Sequence, residues 1–313
     1  MGTHSRPLVS VIGAGHTGST AALFLAQRDV ADVVLVDIPQ LGGMPKGKAL
    51  DMQEAAPVLG YEVRLEGTTD YDATAGSDVV IITAGLPRKP GMSRSDLLNT
   101  NAKIVAAVTE KAVAASPNAH LIVLTNPLDA MCYVALQTSG FPRERVFGQA
   151  GILDSARMRA FIAMEADVAF GDTHAFVLGG HGDDMVPLPR YSTVGGVPIT
   201  EVFDKDTVNR IVARTRMGGG EIVKLLGNGS AYYAPGAALA EMTEAVLRDQ
   251  KKIRPCAAYL DGEYGLSGIY FGVPVKIGRG GIEDIIQISL SADEQAALEA
   301  SAGSVRQMTS ELG

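Results

Sequence analysis

The 313-residue chain has no tryptophan, 5% aromatic residues and only two cysteines, at positions 132 and 256. Two distant cysteines make neither a disulfide framework nor a metal-ligand spacing, so we expect buried free thiols in a reducing compartment. No apolar run reaches the length of a membrane-spanning helix. A strand is predicted to begin by Leu8, which leaves no room for a signal peptide and favours a cytoplasmic protein.

Positive charge is also in short supply, with 27 Lys and Arg against 35 Asp and Glu and a formal net charge of −8. Nucleic acid and anionic membranes would be repelled, so neither is expected as a partner. What remains is 46% hydrophobic and 20% charged, the composition of an ordinary globular protein. The length allows two lobes and a sizeable core.

The first motif is G-x-G-x-x-G, formed by Gly13, Gly15 and Gly18. A strand is predicted at 8–12 before it, a helix at 19–27 after it, and a second strand that ends on Asp37. Such glycines allow a tight turn, backbone approach to a pyrophosphate, and close helix packing. The acidic residue accepts from the ribose hydroxyls and repels a 2′-phosphate, so the motif predicts NAD rather than NADP.

Apolar strands and helical patterns continue to alternate along the first half. This predicts a Rossmann doubly wound parallel sheet in an NAD-binding domain, residues 1–148, with ligands at the carboxyl edge. Short strands and long helices predict a mixed α+β second domain, residues 149–313. We expect it to be the substrate-binding and catalytic domain because it contains the His181 turn described below. The further predictions are helices at 46–56, 93–115, 153–166, 202–226 (loosened by glycines at 218–220), 232–247 and from 292, and strands at 62–66, 78–85, 120–125, 256–260 and 270–277.

An irregular segment at 85–95 follows a central strand and carries Arg88 and Arg94. Its position predicts a lid that closes over an anionic substrate and excludes water. A solvated basic loop is the alternative.

His181 lies between glycines after an apolar run, which suits a group that accepts and donates a proton. Asp154 and Arg157 stand three residues apart on a predicted helix and share a face. One possibility is that they form an ion pair within the helix. The other is that each faces a different partner, so that Asp154 orients His181 and Arg157 binds a carboxylate.

These motifs, together with Thr125-Asn126-Pro127-Leu128-Asp129, occur in the order seen in the lactate/malate dehydrogenase family. The chain resembles this family over residues 8–310, most closely its lactate-dehydrogenase-like malate dehydrogenases. The resemblance implies that His181 and Asp154 are catalytic. It also implies an oligomer, a tetramer or a dimer, and a place in the tricarboxylic acid cycle.

The resemblance further implies which residues bind substrate and cofactor, without any metal. Arg157 would bind the α-carboxylate, Arg94 would polarise the reacting oxygen with help from Asn126, and Arg88 would bind a second carboxylate. The residues expected to bind the cofactor are Gly13, Gly15, Gly18, Asp37, Asn101 and Asn126.

The expected activity is therefore NAD-dependent oxidation of (S)-malate, a small dicarboxylate, to oxaloacetate. Lactate dehydrogenase is the nearest alternative, although Arg88 and Gly229 favour a dicarboxylate. A non-catalytic NAD-binding sensor is the other alternative, and it has no need for the His, Asp and Arg residues. The chain has no Tyr-x-x-x-Lys motif, which disfavours a short-chain dehydrogenase. It also lacks the cysteines of a zinc-dependent alcohol dehydrogenase.

Overall fold

The computed structural model describes residues 6–87 and 93–312. Arg88, predicted to bind substrate, lies outside the described residues. Among those described, no helix has the length and apolar character needed to cross a lipid bilayer.

Nine strands of the described residues form one sheet, and the first six along the chain run parallel. Their order is β3-β2-β1-β4-β5-β6, which is the order of a doubly wound dinucleotide-binding sheet. Strand order reverses between β1 and β4, so a ligand crevice opens at their carboxyl ends. The six strands are β1 (Leu8–Ile12), β2 (Asp32–Val36), β3 (Leu65–Thr68), β4 (Val79–Ile82), β5 (His120–Val123) and β6 (Val146–Gly148).

The third strand begins later than predicted, at Leu65 rather than at residue 62. Tyr61 and Val63 are buried, but they pack with Ala26 and Ala56 in an irregular segment beside the sheet. The alternating burial of residues 61–63 therefore gives a strand-like sequence pattern, although pairing with β2 begins only at Leu65.

The helices follow the predicted pattern, with two additions, α4 and the four-residue α6. The last helix starts at the predicted residue because Ser291 and Glu294 form a capping box. Residues 130–136 of α4 are all apolar and the helix has no side-chain cap, which weakens its periodic signal. The helices are α1 (His16–Gln27), α2 (Met44–Leu59), α3 (Arg94–Ala115), α4 (Leu128–Ser139), α5 (Gly151–Ala166), α6 (Ile199–Val202), α7 (Lys205–Leu226), α8 (Tyr233–Leu247) and α9 (Ala292–Ser310).

The principal strands of the second half of the chain belong to the same sheet as those of the first half. Three long antiparallel strands extend the same sheet, and Ala257 of one pairs with Gly148 of β6. The mixed α/β class is confirmed, although the two halves are joined through one continuous sheet. The boundary predicted after residue 148 falls at the end of β6, and the division into two domains stays a proposal. The remaining strands are β7 (Thr173–His174), β8 (Val177–Leu178), β9 (Val186–Pro187), β10 (Thr193–Val194), β11 (Val197–Pro198), β12 (Lys252–Asp261), β13 (Ser267–Gly278) and β14 (Gly281–Ile285).

Helix α8 of the second half packs on α1, the helix that follows the glycine motif. The approach is close, since a Cβ added to Gly236 would lie 2.7 Å from Thr20 Cγ2. Ala21, Ala22 and Ala238 are buried in the same core. Small side chains thus let α8 fix the position of the helix that carries the glycine motif.

Helix α7 was predicted to be loosened at residues 218–220, and this prediction is wrong. The helix is continuous from Lys205 to Leu226. A Cβ on Gly218 would lie 3.1 Å from Arg157 Cδ. Each glycine costs a helix about 1 kcal/mol relative to alanine. Here Gly218 makes room for an arginine of the neighbouring helix.

Candidate active site

The glycine motif forms a tight turn between β1 and α1, and each of its three glycines has a different structural role. Gly13 has φ of 105°, and its N–H donates to Val36 O at 2.8 Å. A Cβ on Gly18 would lie 1.9 Å from Gly13 O, so only glycine fits. Gly15 precedes α1 and has no atom within 4 Å of an added Cβ. The helix N-terminus is therefore open toward the crevice, as phosphate binding requires.

Asp37 lies directly after β2 and fastens the glycine turn. Its Oδ2 accepts the Ala14 N–H at 2.7 Å and its Oδ1 accepts the Ile38 N–H at 2.8 Å. A carboxylate has about four lone-pair positions. Asp37 therefore keeps acceptor capacity for ribose hydroxyls.

Lys48, on α2, was not predicted to belong to this site. Its Nζ donates to Ala14 O at 2.6 Å, so Lys48 and Asp37 hold opposite sides of one residue. Burial lowers the pKa of Lys48, and the nearby Asp37 charge opposes this. The contact of Lys48 could not be predicted from the sequence, because it arises only when α2 packs over the glycine turn.

His181 lies in a turn that several elements hold. Its backbone N–H donates to Asp129 Oδ2 of α4 at 2.8 Å. The preceding Gly180 N–H donates to Ser301 Oγ of α9 at 3.0 Å. Gly179 has φ of 95° and pairs with Gly272 of β13. Backbone contacts to α4, α9 and β13 thus anchor the turn, in addition to the contacts of the His181 ring.

Asp154 joins the two side chains predicted to act on substrate. Its Oδ2 lies 2.8 Å from His181 Nδ1, and its Oδ1 accepts from Arg157 Nη1 at 3.0 Å. The ion pair and the histidine contact had been predicted as alternatives, and both occur. The carboxylate is 2% exposed, so both contacts are shielded from water.

Helix α5 reaches His181 because Ser155 fastens it to the strand that leads into the turn. Ser155 Oγ accepts the Val177 N–H of β8 at 2.9 Å. Asp154, one residue earlier, therefore lies beside the turn that follows β8. The Asp154 carboxylate accepts a hydrogen bond from Nδ1–H of a neutral His181, which leaves Nε2 as the atom that can accept a proton.

Two opposing effects set the pKa of His181. Burial lowers it, but the charge and hydrogen bond of Asp154, helped by Asp129, outweigh burial and the nearby Arg157. The pKa of His181 is raised above its usual 6.5. The protonated form consequently persists to higher pH than in a free histidine.

Arg157 retains capacity to bind an anion. Its Nε is buried and has no hydrogen-bond partner among the described residues. Buried donors are normally paired, so this one indicates a missing acceptor. Gly218 and Gly219 of α7 lie against the same guanidinium arm and leave it space.

The other predicted residues are more dispersed. Arg94 is the first residue of α3 and Asn126 follows β5, and both are exposed. Within the described parts of the chain, neither hydrogen-bonds to His181. The same parts contain no group of His, Cys, Asp or Glu arranged to hold a metal ion.

Asn101, which is predicted to bind the cofactor, makes three hydrogen bonds within the protein. Its Oδ1 accepts the Leu86 N–H at 2.8 Å, and its Nδ2 donates to the carbonyls of Leu86 and Asn126. It is buried, with both amide protons in use. Asn101 therefore ties the start of the 85–95 segment to the end of β5.

An open helix N-terminus at the strand-order reversal, an acidic residue after β2, and a buried His–Asp–Arg chain define a dinucleotide-dependent oxidoreductase. Residues 8–148 match the sequence model "lactate/malate dehydrogenase, NAD binding domain", and residues 152–311 match its "alpha/beta C-terminal domain". The chain belongs to the lactate/malate dehydrogenase family. It is an NAD-dependent oxidoreductase, as predicted.

Individual relatives agree over nearly the full length. A malate dehydrogenase of Bacillus cereus is 60% identical over 304 residues, 97% of each chain. The malate dehydrogenase structure from Salinibacter ruber has a TM-score of 0.93 at 55% identity, covering 97% of each chain. A lactate dehydrogenase from Cryptosporidium parvum, solved with lactic acid and the NAD cofactor, has a TM-score of 0.94 at 42% identity, covering 98% of each chain.

Proposed function

We propose that this chain catalyses the reversible oxidation of (S)-malate to oxaloacetate by hydride transfer to NAD, with His181 and Asp154 as the proton relay. The observation that carries the proposal is that one buried carboxylate, that of Asp154, contacts both His181 Nδ1 and Arg157 Nη1. It couples a proton-exchanging group to a group that binds an anion. Relatives called malate dehydrogenase at 60% identity support malate as the substrate.

The residues divide the chemistry between them. NAD supplies the hydride acceptor when bound at the glycine turn. Arg157 binds a substrate carboxylate through the unpaired edge of its guanidinium. Neutral His181 accepts the hydroxyl proton at Nε2, and Asp154 stabilises the imidazolium that forms. Arg94, assisted by Asn126, stabilises charge on the reacting oxygen.

The reverse direction sets a pH dependence. Oxaloacetate reduction needs protonated His181, and the raised pKa of His181 keeps that form populated near neutral pH. As pH rises through this pKa, the donor proton is lost. Oxaloacetate binding and its reduction therefore weaken on the alkaline side.

The preference for malate over lactate is assigned to Arg88. Oxaloacetate has a second carboxylate to pair with this arginine, and pyruvate has none. The resemblance to the family also assigns Gly229, a position without a side chain, to the space for the longer substrate. The fold alone does not separate the two activities, because a lactate dehydrogenase superimposes with a TM-score of 0.94.

Initial rates with oxaloacetate and pyruvate, followed by NADH absorbance, test this assignment. Arg88→Gln is expected to lower the preference for oxaloacetate by about 10²-fold or more, because a desolvated charge pair is lost. Lys89→Gln, the matched control, removes a neighbouring positive charge and is expected to keep the preference. An unchanged preference in Arg88→Gln would contradict the assignment, and NADH binding without turnover of either acid would indicate a sensor.

We also propose a cytoplasmic homo-oligomer, a tetramer or a dimer. The cytoplasm would keep the buried thiols of Cys132 and Cys256 reduced. Exposed apolar side chains on α2 and α7 would be covered by self-association. Light scattering measures the mass, and a monomer would refute the proposal. These side chains are Leu50, Val58, Leu59, Met217, Val223, Leu225 and Leu226.

A further inference from the structure

Asp129 is a buried carboxylate next to His181 that the mechanism above does not use. It lies in the first turn of α4 and is 3% exposed. Its Oδ2 accepts the His181 N–H at 2.8 Å. Its Oδ1 is also buried and has no hydrogen-bond partner among the described residues. One oxygen therefore serves the histidine, and the other receives no compensation for its burial.

A neutral group would be enough to hold the backbone of this turn. Ser301 does so one residue earlier, where its hydroxyl accepts the Gly180 N–H at 3.0 Å. A buried charge is costly unless another interaction offsets that cost. For Asp129 the offsetting interaction is the attraction between its charge and the imidazolium of His181, the residue whose backbone N–H it accepts at 2.8 Å.

The charged groups that face the His181 ring come from two helices. Asp154 and Arg157 belong to α5 and Asp129 belongs to α4. Asp183 and Asp184 of the turn itself are exposed, so water screens them. Cys132, one turn further along α4, has a pKa raised by burial and by Asp129, so it stays neutral. Asp129 is thus the second buried negative charge acting on the ring.

We propose that Asp129 is a positioning residue for proton transfer, whose buried charge keeps His181 protonated while its Oδ2 fixes the histidine backbone. The proposal rests on the proposed role of His181 as proton donor. Asp154 then sets the tautomer from Nδ1, and Asp129 adds a charge without touching the ring nitrogens.

The two groups are expected to titrate in overlapping ranges. Burial raises the pKa of Asp129 to about 6, against the lowering effects of the His181 N–H and charge. The pKa of His181 is raised, partly by Asp129. As pH rises, Asp129 loses its proton first, and its new charge favours protonated His181. Reduction of the keto acid is thereby extended to higher pH.

Asp129→Asn tests the charge, because the amide oxygen can still accept the His181 N–H at similar volume. Nuclear magnetic resonance of a labelled imidazole measures the pKa of His181 without any turnover. We expect it to fall by about one unit, as is typical for loss of a nearby opposite charge. The alkaline limb of oxaloacetate reduction should move to lower pH by the same amount, with kcat at low pH reduced less than tenfold.

Ser301→Ala is the matched control, since it removes the neighbouring neutral anchor of the turn. Its His181 pKa is expected to stay within about 0.2 units of the parent, because no charge near the ring is lost. An unchanged His181 pKa in folded Asp129→Asn would overturn the proposal, as would an equal shift in both variants.

A measurement on the parent protein does not depend on how the variants fold. The carboxyl carbon of Asp129 should titrate near pH 6, and the same step should appear in the His181 signals. A single His181 step with no Asp129 titration above pH 4.5 would overturn the proposal. Failure of the proposed activity would appear instead as absent turnover with the coupled titration intact.

Discussion

The cofactor end and the catalytic end of the crevice are built in different ways. Ala14 and Asp37 are 23 residues apart and are joined by one turn, one helix and one strand. At the catalytic end, Gly180 and Ser301 are 121 residues apart, and His181 is held from α4 and α5 as well. The contact between Asp37 and the turn at the first end thus lies within one local stretch, on which α8 then packs, whereas the contacts at the second end form only after the second half has folded.

The two ends also differ in how they use a carboxylate. Asp37 is half-buried at the crevice rim, where both its oxygens accept backbone N–H groups. Asp154 is buried between two side chains that carry or acquire positive charge. In the proposed function the rim carboxylate contacts the cofactor and the buried one acts on the protonation of His181, because electrostatic effects grow as water is removed.

If the two ends are independent, removing the proton donor should abolish turnover and spare cofactor binding. His181→Asn is expected to lower kcat for oxaloacetate by about 10³-fold, the middle of the range for losing a general acid. NADH affinity, measured by fluorescence titration, should change less than about twofold, because no His181 contact reaches the glycine turn. A parallel loss of NADH affinity would show that the ends are coupled.

The converse change acts on the cofactor end. Asp37→Asn is expected to raise the KM for NADH by about tenfold, because hydrogen bonds to a charged acceptor are replaced by weaker ones. Discrimination against NADPH should fall, while the pH dependence set by His181 stays the same. Asp32→Asn, at the opposite end of β2, is the control, since its carboxylate accepts the Arg64 N–H at 2.9 Å, far from the glycine turn. A shifted pH profile in Asp37→Asn would argue against separate ends.

The smallest expected effect comes from the helix that makes room for Arg157. Gly218→Ala would place a Cβ 3.1 Å from Arg157 Cδ, so the arginine must shift slightly. We expect the KM for oxaloacetate to rise about three- to fivefold with little change in kcat, since a displacement of tenths of an ångström weakens binding modestly.

Gly220→Ala is the matched control in the same helix, because no atom lies within 4 Å of its added Cβ. It should leave the KM unchanged and stabilise the protein by about 0.5–1 kcal/mol through helix propensity. A similar KM increase in both variants would mean that helix propensity, and not contact with Arg157, is responsible.

Much of the site was predictable, and the exceptions have physical reasons. The turn at the glycines and the contact of Asp154 with His181 were predicted, and both occur in the structure. The cofactor-binding roles of the glycines, Asp37 and Asn101 stay predictions, and the bonds of the Asn101 amide to Leu86 and Asn126 had no sequence signal. Lys48 and Asp129 were missed, since nothing in their local sequence reveals what lies opposite them in the fold. Gly218 was misread because a helix break and a close helix contact leave the same sequence signal.

By itself, the sequence determined the doubly wound order of elements, the NAD motif and the residue types for proton and anion chemistry. Period-2 and helical patterns, caps and glycine spacing are local, so they act before the chain is assembled. Only the tertiary structure decided that Asp154 contacts His181 and Arg157 at once and that Asp129 lies beside the same histidine. It also joined the halves through β6 and β12. These contacts depend on burial and on which helices meet, and no single stretch of chain contains that information.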